Sequence, residues 1–373
     1  MTMQRDDSAF DIFLTAPPGL EACLLAEVME TGFSQPKAVA GGVEIRGGWP
    51  DVWRANLCLR GAGRVLARIA EFRAMHPAQL DKRARKVNWA AVLRPDVPVR
   101  IEASCARSKI YHAGAAASRV ERAIAEELGA PVSKEAALRV MVRIEDDLCT
   151  ISVDTSGEPL HRRGHKLSVG KAPMRETLAA LFLRQCGYAG REPVLDPMCG
   201  SGTFVIEAAE IAAGLLPGRD RSFAFEHLAC FAPEAWQEMR QALPVQHDLR
   251  FYGSDRDAGA IRGAGENAAR AGVGGLCTFA THAISDATPP DGPKGLVIVN
   301  PPYGGRIGNT KLLYGLYGAF GKTLAQRFRG WRVGMITTEA GLVRATGLPF
   351  APPGPPIPHG GLKIRLWQTG PLP

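Results

Sequence analysis

Residues 194–209 read VLDPMCGSGTFVIEAA, and no other stretch limits so tightly what this chain can fold into. The apolar pair Val194-Leu195 ends on an acid, Asp196. Pro197 then removes a ladder donor, while Gly200 and Gly202 free the backbone for a tight turn. Past the turn, Phe204, Val205, Ala208, Ala209 and Ile211 recur at helical spacing. A strand, glycine turn and helix in that order leave backbone N–H groups at a helix N-terminus, facing the crevice at the carboxyl end of a parallel sheet. Nucleotide-like ligands bind in such crevices. The turn lacks the Lys-Ser/Thr end of a phosphate loop and the GxGxxG frame of dinucleotide sites, so it suits a ligand with no phosphate at that point.

Two later stretches complete the crevice. Residues 249–268, LRFYGSDRDAGAIRGAGENA, predict a short strand ending at Asp255 and then a helix. An acid at the end of the second strand is where such folds hold ribose hydroxyls. Residues 295–303, GLVIVNPPY, put an apolar strand directly before Asn300, Pro301, Pro302 and Tyr303, and the two prolines stop the strand and fix its exit. Asn300 is thereby expected at a strand tip facing the same crevice. Alternating strand and helix patterns from residue 174 onward predict a doubly wound, mainly parallel sheet. Residues 215–247 interrupt it as a long insertion, expected to be helical.

These residues resemble a known family. D-P-x-C-G-S-G-T at 196–203, the acid Asp255 and N-P-P-Y at 300–303 are similar to the signature of S-adenosylmethionine-dependent amino methyltransferases. Residues 160–181, LHRRGHKLSVGKAPMRETLAAL, resemble the segment entering the catalytic domain of THUMP-domain RNA guanine-N2 methyltransferases, the bacterial 23S ribosomal RNA enzymes among them. The chain departs from that pattern at His165, where tyrosine is usual, and at Arg256, where an apolar residue is commoner. One catalytic domain is expected, without the second methyltransferase fused on in some relatives.

The resemblance implies a Rossmann-like class I methyltransferase domain, residues 174–373, behind a linker at 157–173. In front of it come a ferredoxin-like unit, residues 1–73, and a THUMP-like α/β domain, residues 74–156, with an RNA-binding role. It implies S-adenosylmethionine as cofactor, S-adenosylhomocysteine as product and no metal. Asp196, Pro197, Cys199, Gly200, Gly202, Thr203, Asp255, Asp286 and Asn300 are the expected cofactor residues. Asp196 would lie near the methionine amino group, Asp255 at the ribose and Asp286 at the adenine amine. Asn300, Pro301, Pro302 and Tyr303 are the expected catalytic group. The Asn300 side-chain oxygen and the Pro301 carbonyl would accept from the two amine hydrogens, and Tyr303 would stack on the base, a contact worth roughly 1–3 kcal/mol. Cys199 reads as a small buried turn residue rather than a nucleophile, because amine methylation needs no thiolate.

Composition agrees. With 373 residues and 46% hydrophobic content the chain buries at least two cores. No apolar run approaches the ~20 residues of a membrane span, and residues 1–10 lack the pattern of a signal peptide. Eight cysteines with no CxxC pair argue against a disulfide framework and a zinc site, so a cytoplasmic location is expected. The formal net charge of +8 suits a polyanionic partner. Lys82, Arg83, Arg85 and Lys86, and again Arg162, Arg163 and Lys166, are dense enough to meet phosphates. The expected partner is RNA, 23S ribosomal RNA or a large-subunit assembly intermediate first, with no membrane and no obligate protein partner. A guanine in tRNA, another amine such as adenine or glutamine, and a non-enzymatic RNA-binding assembly factor are the alternatives.

Overall fold

The computed structural model describes residues 9–167, 174–241, 244–303 and 310–373. In chain order the elements begin with β1 (Phe10–Thr15), α1 (Glu21–Glu30), β2 (Lys37–Val39), β3 (Gly42–Gly47), α2 (Trp49–Cys58), β4 (Val65–Arg73) and α3 (Pro77–Ala84). They continue with β5 (Val99–Ala106), α4 (Ala113–Leu128), β6 (Leu138–Glu145), β7 (Leu148–Asp154), α5 (Glu176–Gln185), β8 (Val194–Asp196), α6 (Thr203–Ala212) and α7 (Pro233–Met239). The last set is β9 (Phe251–Asp255), α8 (Ala258–Arg270), β10 (Cys277–Thr281), β11 (Leu296–Val299), α9 (Thr310–Arg327), β12 (Arg332–Thr337), α10 (Ala340–Ala345), β13 (Ile357–His359) and β14 (Leu362–Gln368). No described helix is long and apolar enough to cross a membrane.

The chain forms two compact units. The first comprises Met1–Ala16, Leu24–Leu160 and Gly218–Gln241, and the second Pro17–Cys23, His161–Pro217 and Ala242–Pro373. One seven-stranded sheet, in the order β2-β3-β1-β4-β7-β6-β5, runs through the first unit. It crosses the boundary expected at residue 73, because β4 pairs antiparallel with β7 from Leu66↔Asp154 to Arg73↔Leu148. Alternation explains the strands: in β1, Ile12 and Leu14 are fully buried while their neighbours are not. Pro50 at the first turn of α2 and the Asp51 carboxylate accepting the Gly48 N–H (3.1 Å) start that helix, and Gly129, at φ +79, ends α4.

The insertion expected to be helical is mostly irregular. Among its described residues only α7 is α-helical, with a single 3-10 turn at Ala224–His227. Aromatic packing shapes it instead. Phe223 stacks on Phe225 (5.2 Å), Trp236 meets Phe225 edge-on (4.9 Å), and Trp53 of α2 meets Phe231 edge-on (5.9 Å). Backbone bonds from Phe225 N to Thr155 O (3.0 Å) and from Ala229 N to Val92 O (2.9 Å) tie it to the first unit.

The second unit is built on a seven-stranded sheet in the order β10-β9-β8-β11-β12-β14-β13. The first five strands are mutually parallel, whereas β14 runs antiparallel to β12 and to β13. β14 therefore lies one place in from the edge, covered by β13. The chain proceeds from β8 to β9 and β10 on one side, then returns to lay β11 on the other. That reversal opens a crevice at the carboxyl ends of β8 and β11.

Candidate functional site

Three adjacent strand tips deliver the chemistry of the crevice. Register pairs Leu195 with Val297 on one side and Asp196 with Gly253 on the other. Asp196 thus lies at the end of β8, Asn300 one residue past the end of β11 and Asp255 at the end of β9. The strands are short and apolar, so the polar residue that follows each buried run is the first to emerge at the rim.

The turn after β8 is held from both sides. Gly202 N donates to Cys199 O (2.8 Å), Cys199 N donates to Ser254 O (2.9 Å), and the Asp255 carboxylate accepts the Gly200 N–H (3.1 Å) and the Asp257 N–H (3.0 Å). Gly202 has φ +80, and a Cβ there would lie 3.1 Å from the Ala264 Cβ and 3.2 Å from the Phe279 ring. Only glycine fits, by conformation and by space. Gly200, at φ +50, faces the other way, since a Cβ there would meet nothing within 4 Å. Thr203, buried, opens α6 directly behind.

Asp196 is 3% exposed and accepts the Met198 N–H (3.1 Å). Burial, and secondarily the neighbouring Asp255 charge, push its carboxyl up to about 8, against the pull of that N–H. Cys199 is buried with its thiol pushed well above the ordinary range, first by burial and then by Asp196 and Asp255. Pro197 is buried beside it.

At the β11 tip Asn300 is half-buried, and its Oδ1, fully shielded from solvent, accepts no hydrogen bond from any described residue. An orphan acceptor of this kind costs free energy unless something fills it. Pro301 is buried, and the Pro302 carbonyl accepts from the Tyr317 hydroxyl on α9 (3.3 Å). That hydroxyl also bonds Thr337 Oγ1 (3.3 Å) at the end of β12. Tyr303, the residue expected to stack on the base, is buried at 4% exposure. Tyr314 of α9, which sequence reasoning passed over, is 43% exposed, and its hydroxyl lies 2.6 Å from where a Cβ on Gly341 would stand. Asp286 is exposed in the 3-10 turn Ile284–Asp286 that follows β10.

The basic residues divide. Arg163 turns inward, its side chain 1% exposed, and its guanidinium meets Glu207 and Glu210 (3.2 Å to the latter) on α6. Burial by itself would depress this group, but the charges of Glu207, Glu210 and Glu176 outweigh it and hold the guanidinium above its ordinary value. Lys166 is likewise drawn in, donating to Met174 O (2.6 Å) and pairing with Glu176 (3.3 Å). His165 is buried, and burial lowers its pKa. Arg85 is occupied by Asp81 (3.2 Å), Glu126 (2.6 Å) and Glu127 (2.9 Å). Phosphate contact expected of Arg163, Lys166 and Arg85 therefore gives way to bracing, because each cation sits among carboxylates. Lys82, Arg83, Lys86 and Arg162 are exposed.

A second network reaches the turn from behind. Asn267 of α8, fully buried, donates to Ser201 O (3.1 Å), while Arg270 donates to Asn267 Oδ1 and to His165 O (2.9 Å). It fixes the turn and residues 161–167 to one helix.

A family model described as the RMKL-like methyltransferase domain matches residues 163–348, and one described as the RlmL ferredoxin-like domain matches residues 11–66. The Ribosomal RNA large subunit methyltransferase K/L of Vibrio campbellii is 35% identical over 337 residues, 86% of this chain and 48% of that protein. A Synechocystis protein named "Putative RNA methyltransferase slr0064" is 30% identical over 378 residues, covering 97% of this chain and 98% of the other. The chain thus spans about half the length of the K/L relatives and nearly all of slr0064. Among solved structures, one described as a possible methylase from Clostridium difficile superimposes with TM-score 0.88 at 29% identity, covering 98% of this chain and 99% of that one. Another, described as a predicted N6-adenine-specific DNA methylase from Listeria monocytogenes, gives 0.87 at 30% identity and 97% coverage of both. The glycine turn, the three strand tips and these likenesses lead to one conclusion: the chain belongs to the RMKL-like methyltransferase family.

Proposed function

We propose that this chain transfers a methyl group from S-adenosylmethionine to the exocyclic N2 amine of a guanine in RNA, large-subunit ribosomal RNA before any other. The observation that carries the reading is the Asn300 Oδ1, a shielded acceptor with no described partner at the rim of the crevice. The turn fits the cofactor: open space over Gly200 adjoins two carboxylates, and nothing there demands a phosphate. When bound, the cofactor supplies an activated methyl group on a positively charged sulfur.

The chain's own task is then to bind, orient and exclude water. Asp196 would face the cofactor's ammonium and Asp255 its ribose hydroxyls; Asp286 would take the adenine amine. Asn300 Oδ1 and the Pro301 carbonyl would accept the two amine hydrogens, turning the nitrogen lone pair toward the methyl group and offsetting the positive charge that grows on nitrogen. The cofactor, held by Asp196 and Asp255, would supply the methyl group, with its neutral thioether as the leaving group. The surplus proton leaves nitrogen for water, so no dedicated base is required. Residues 74–156 would act as the THUMP-like RNA-binding part, with Lys82, Arg83, Lys86 and Arg162 meeting phosphate. The names of the K/L relatives support ribosomal RNA as substrate.

A second reading keeps the chemistry and changes the acceptor to an adenine amine. The likeness to the Listeria structure, described as an adenine-specific methylase, favours it. Radiolabelled methyl transfer from S-adenosylmethionine to total RNA of a strain lacking the gene, followed by nucleoside digestion, decides between them. Label in N2-methylguanosine on large-subunit RNA, reduced at least 100-fold by Asn300→Ala, is the expected result. Label in tRNA changes the substrate, label in methyladenosine changes the base, and cofactor binding without any label favours an assembly factor.

A further inference from the structure

One carboxylate at the crevice has no role in the scheme above. Glu339 follows β12 by two residues, and β12 lies beside β11 in parallel register, Val299 opposite Met335. Its position is tied to the catalytic loop by a chain of hydrogen bonds. Pro302 O accepts from the Tyr317 hydroxyl (3.3 Å), that hydroxyl bonds Thr337 Oγ1 (3.3 Å), and the same Thr337 oxygen accepts the Glu339 N–H (3.4 Å). The Glu339 charge is felt at the Tyr317 hydroxyl, which burial, with lesser help from Tyr303 and Glu339, pushes above its ordinary range. Glu339 occupies the residue before α10 and makes no cap hydrogen bond. It is half-buried. Two acceptors on adjoining strand tips, the Asn300 amide oxygen and the Glu339 carboxylate, therefore stand without capping or pairing duties among the described residues.

We propose that Glu339 determines the base: its carboxylate accepts the N1–H of guanine while Asn300 holds the amine next to it. The proposal rests on the guanine-N2 reading and assigns that reading its specificity. Guanine's pairing edge carries N1–H beside N2–H2, donors in a row. An ionised carboxylate only accepts, so it matches N1–H and opposes the lone pair on adenine N1. A site built to receive a substrate N–H rejects analogues that lack it far more strongly than a site relying on shape. The same hydrogen bond acts on rate, since holding N1–H against a negative charge returns electron density to the ring and makes the N2 lone pair more available. The charge is needed most as nitrogen becomes positive.

The test uses the full chain with Glu339→Gln, nearly the same in size, and Glu339→Ala. Methyl transfer to RNA from a strain lacking the gene is followed by nucleoside analysis, and S-adenosylmethionine binding by calorimetry. The expected result is a roughly 100-fold fall in N2-methylguanosine formation in Glu339→Gln, carried mainly by kcat, with cofactor Kd within twofold of the parent and an unchanged melting temperature. N2-methylguanosine formed at the parent rate by both variants overturns the proposal and leaves the guanine-N2 reading standing. Loss of cofactor affinity in Glu339→Gln in step with activity also overturns it, making Glu339 a support of the fold. An unaltered chain that labels another base, or none, overturns both.

Discussion

Arg163→Met isolates the most consequential contact in the second unit. The guanidinium, 1% exposed, is shared between Glu207 and Glu210, themselves 1% and 0% exposed. Removing it takes from two buried carboxylates the guanidinium they share. Breaking a buried pair in this way costs about 3–5 kcal/mol, a large share of the roughly 5–15 kcal/mol that holds a folded protein together. The pH dependence has a definite sign. Without Arg163 the two carboxyls gain folded-state pKa values above their unfolded values near 4.3, because burial disfavours the charged form. Groups shifted upward add stability at acid pH and lose it as pH rises through the folded value. The deficit of the variant relative to the parent is therefore largest at pH 8 and narrows toward pH 5. Urea unfolding followed by circular dichroism at pH 5, 6.5 and 8 measures it, with Arg163→Met/Glu207→Gln/Glu210→Gln as the companion that removes the two buried charges and regains most of the loss. A single variant as stable as the parent at all three pH values, but with weakened RNA binding, would show that Arg163 faces the nucleic acid and refute the argument.

Two further outcomes follow from the turn. Gly202→Ala, with its Cβ against Ala264 and Phe279 and a left-handed φ, should destabilise by about 1–3 kcal/mol, whereas Gly200→Ala, opening onto free space, should lower the melting point less and weaken S-adenosylmethionine binding more. Scanning calorimetry and titration calorimetry on the two variants read these out, and equal melting points would contradict the geometry. With the Asp196 carboxyl pushed up to about 8, affinity for the cationic cofactor should fall as pH drops below 8, by up to tenfold per unit, and Asp196→Asn should bind weakly with a flat profile. In the unliganded chain the same group lowers stability as pH climbs from about 4 toward 8, since its folded pKa lies above its unfolded one. An Asp196→Asn profile as steep as the parent's would assign the pH effect to another group.

The elements of the crevice were legible because their punctuation is covalent. Pro197, Gly200, Gly202, Pro301 and Pro302 restrict or free the backbone wherever they stand, and the apolar runs before them say which strands are buried on both faces. The fate of charge was less legible. Arg162 and Arg163 are identical letters in one run, yet one is exposed and the other buried, and the difference lies in Glu207 and Glu210, more than forty residues away. A signal did exist there: two acids three apart on an otherwise apolar helix require a cation, which α6 could not supply. Glu339 escaped notice because a lone acid after a strand resembles any loop residue. The insertion misled because aromatic residues such as Phe225 and Trp236 suit a helix pattern while their actual partners lie in the first unit.

The aromatic cluster around Trp53 gives the first unit an unusual timetable. Its sheet is complete in sequence by Asp154, but Phe223, Phe225, Phe231 and Trp236, which pack with one another and against Trp53, are encoded after the glycine turn of the second unit. During synthesis the ribosome must therefore release α5, β8 and α6 of the second unit before the earlier unit can close. A fragment cut at Leu160 would expose the Trp53 face to water and to other chains, because Gly218–Gln241 belongs to the same compact unit as Leu24–Leu160.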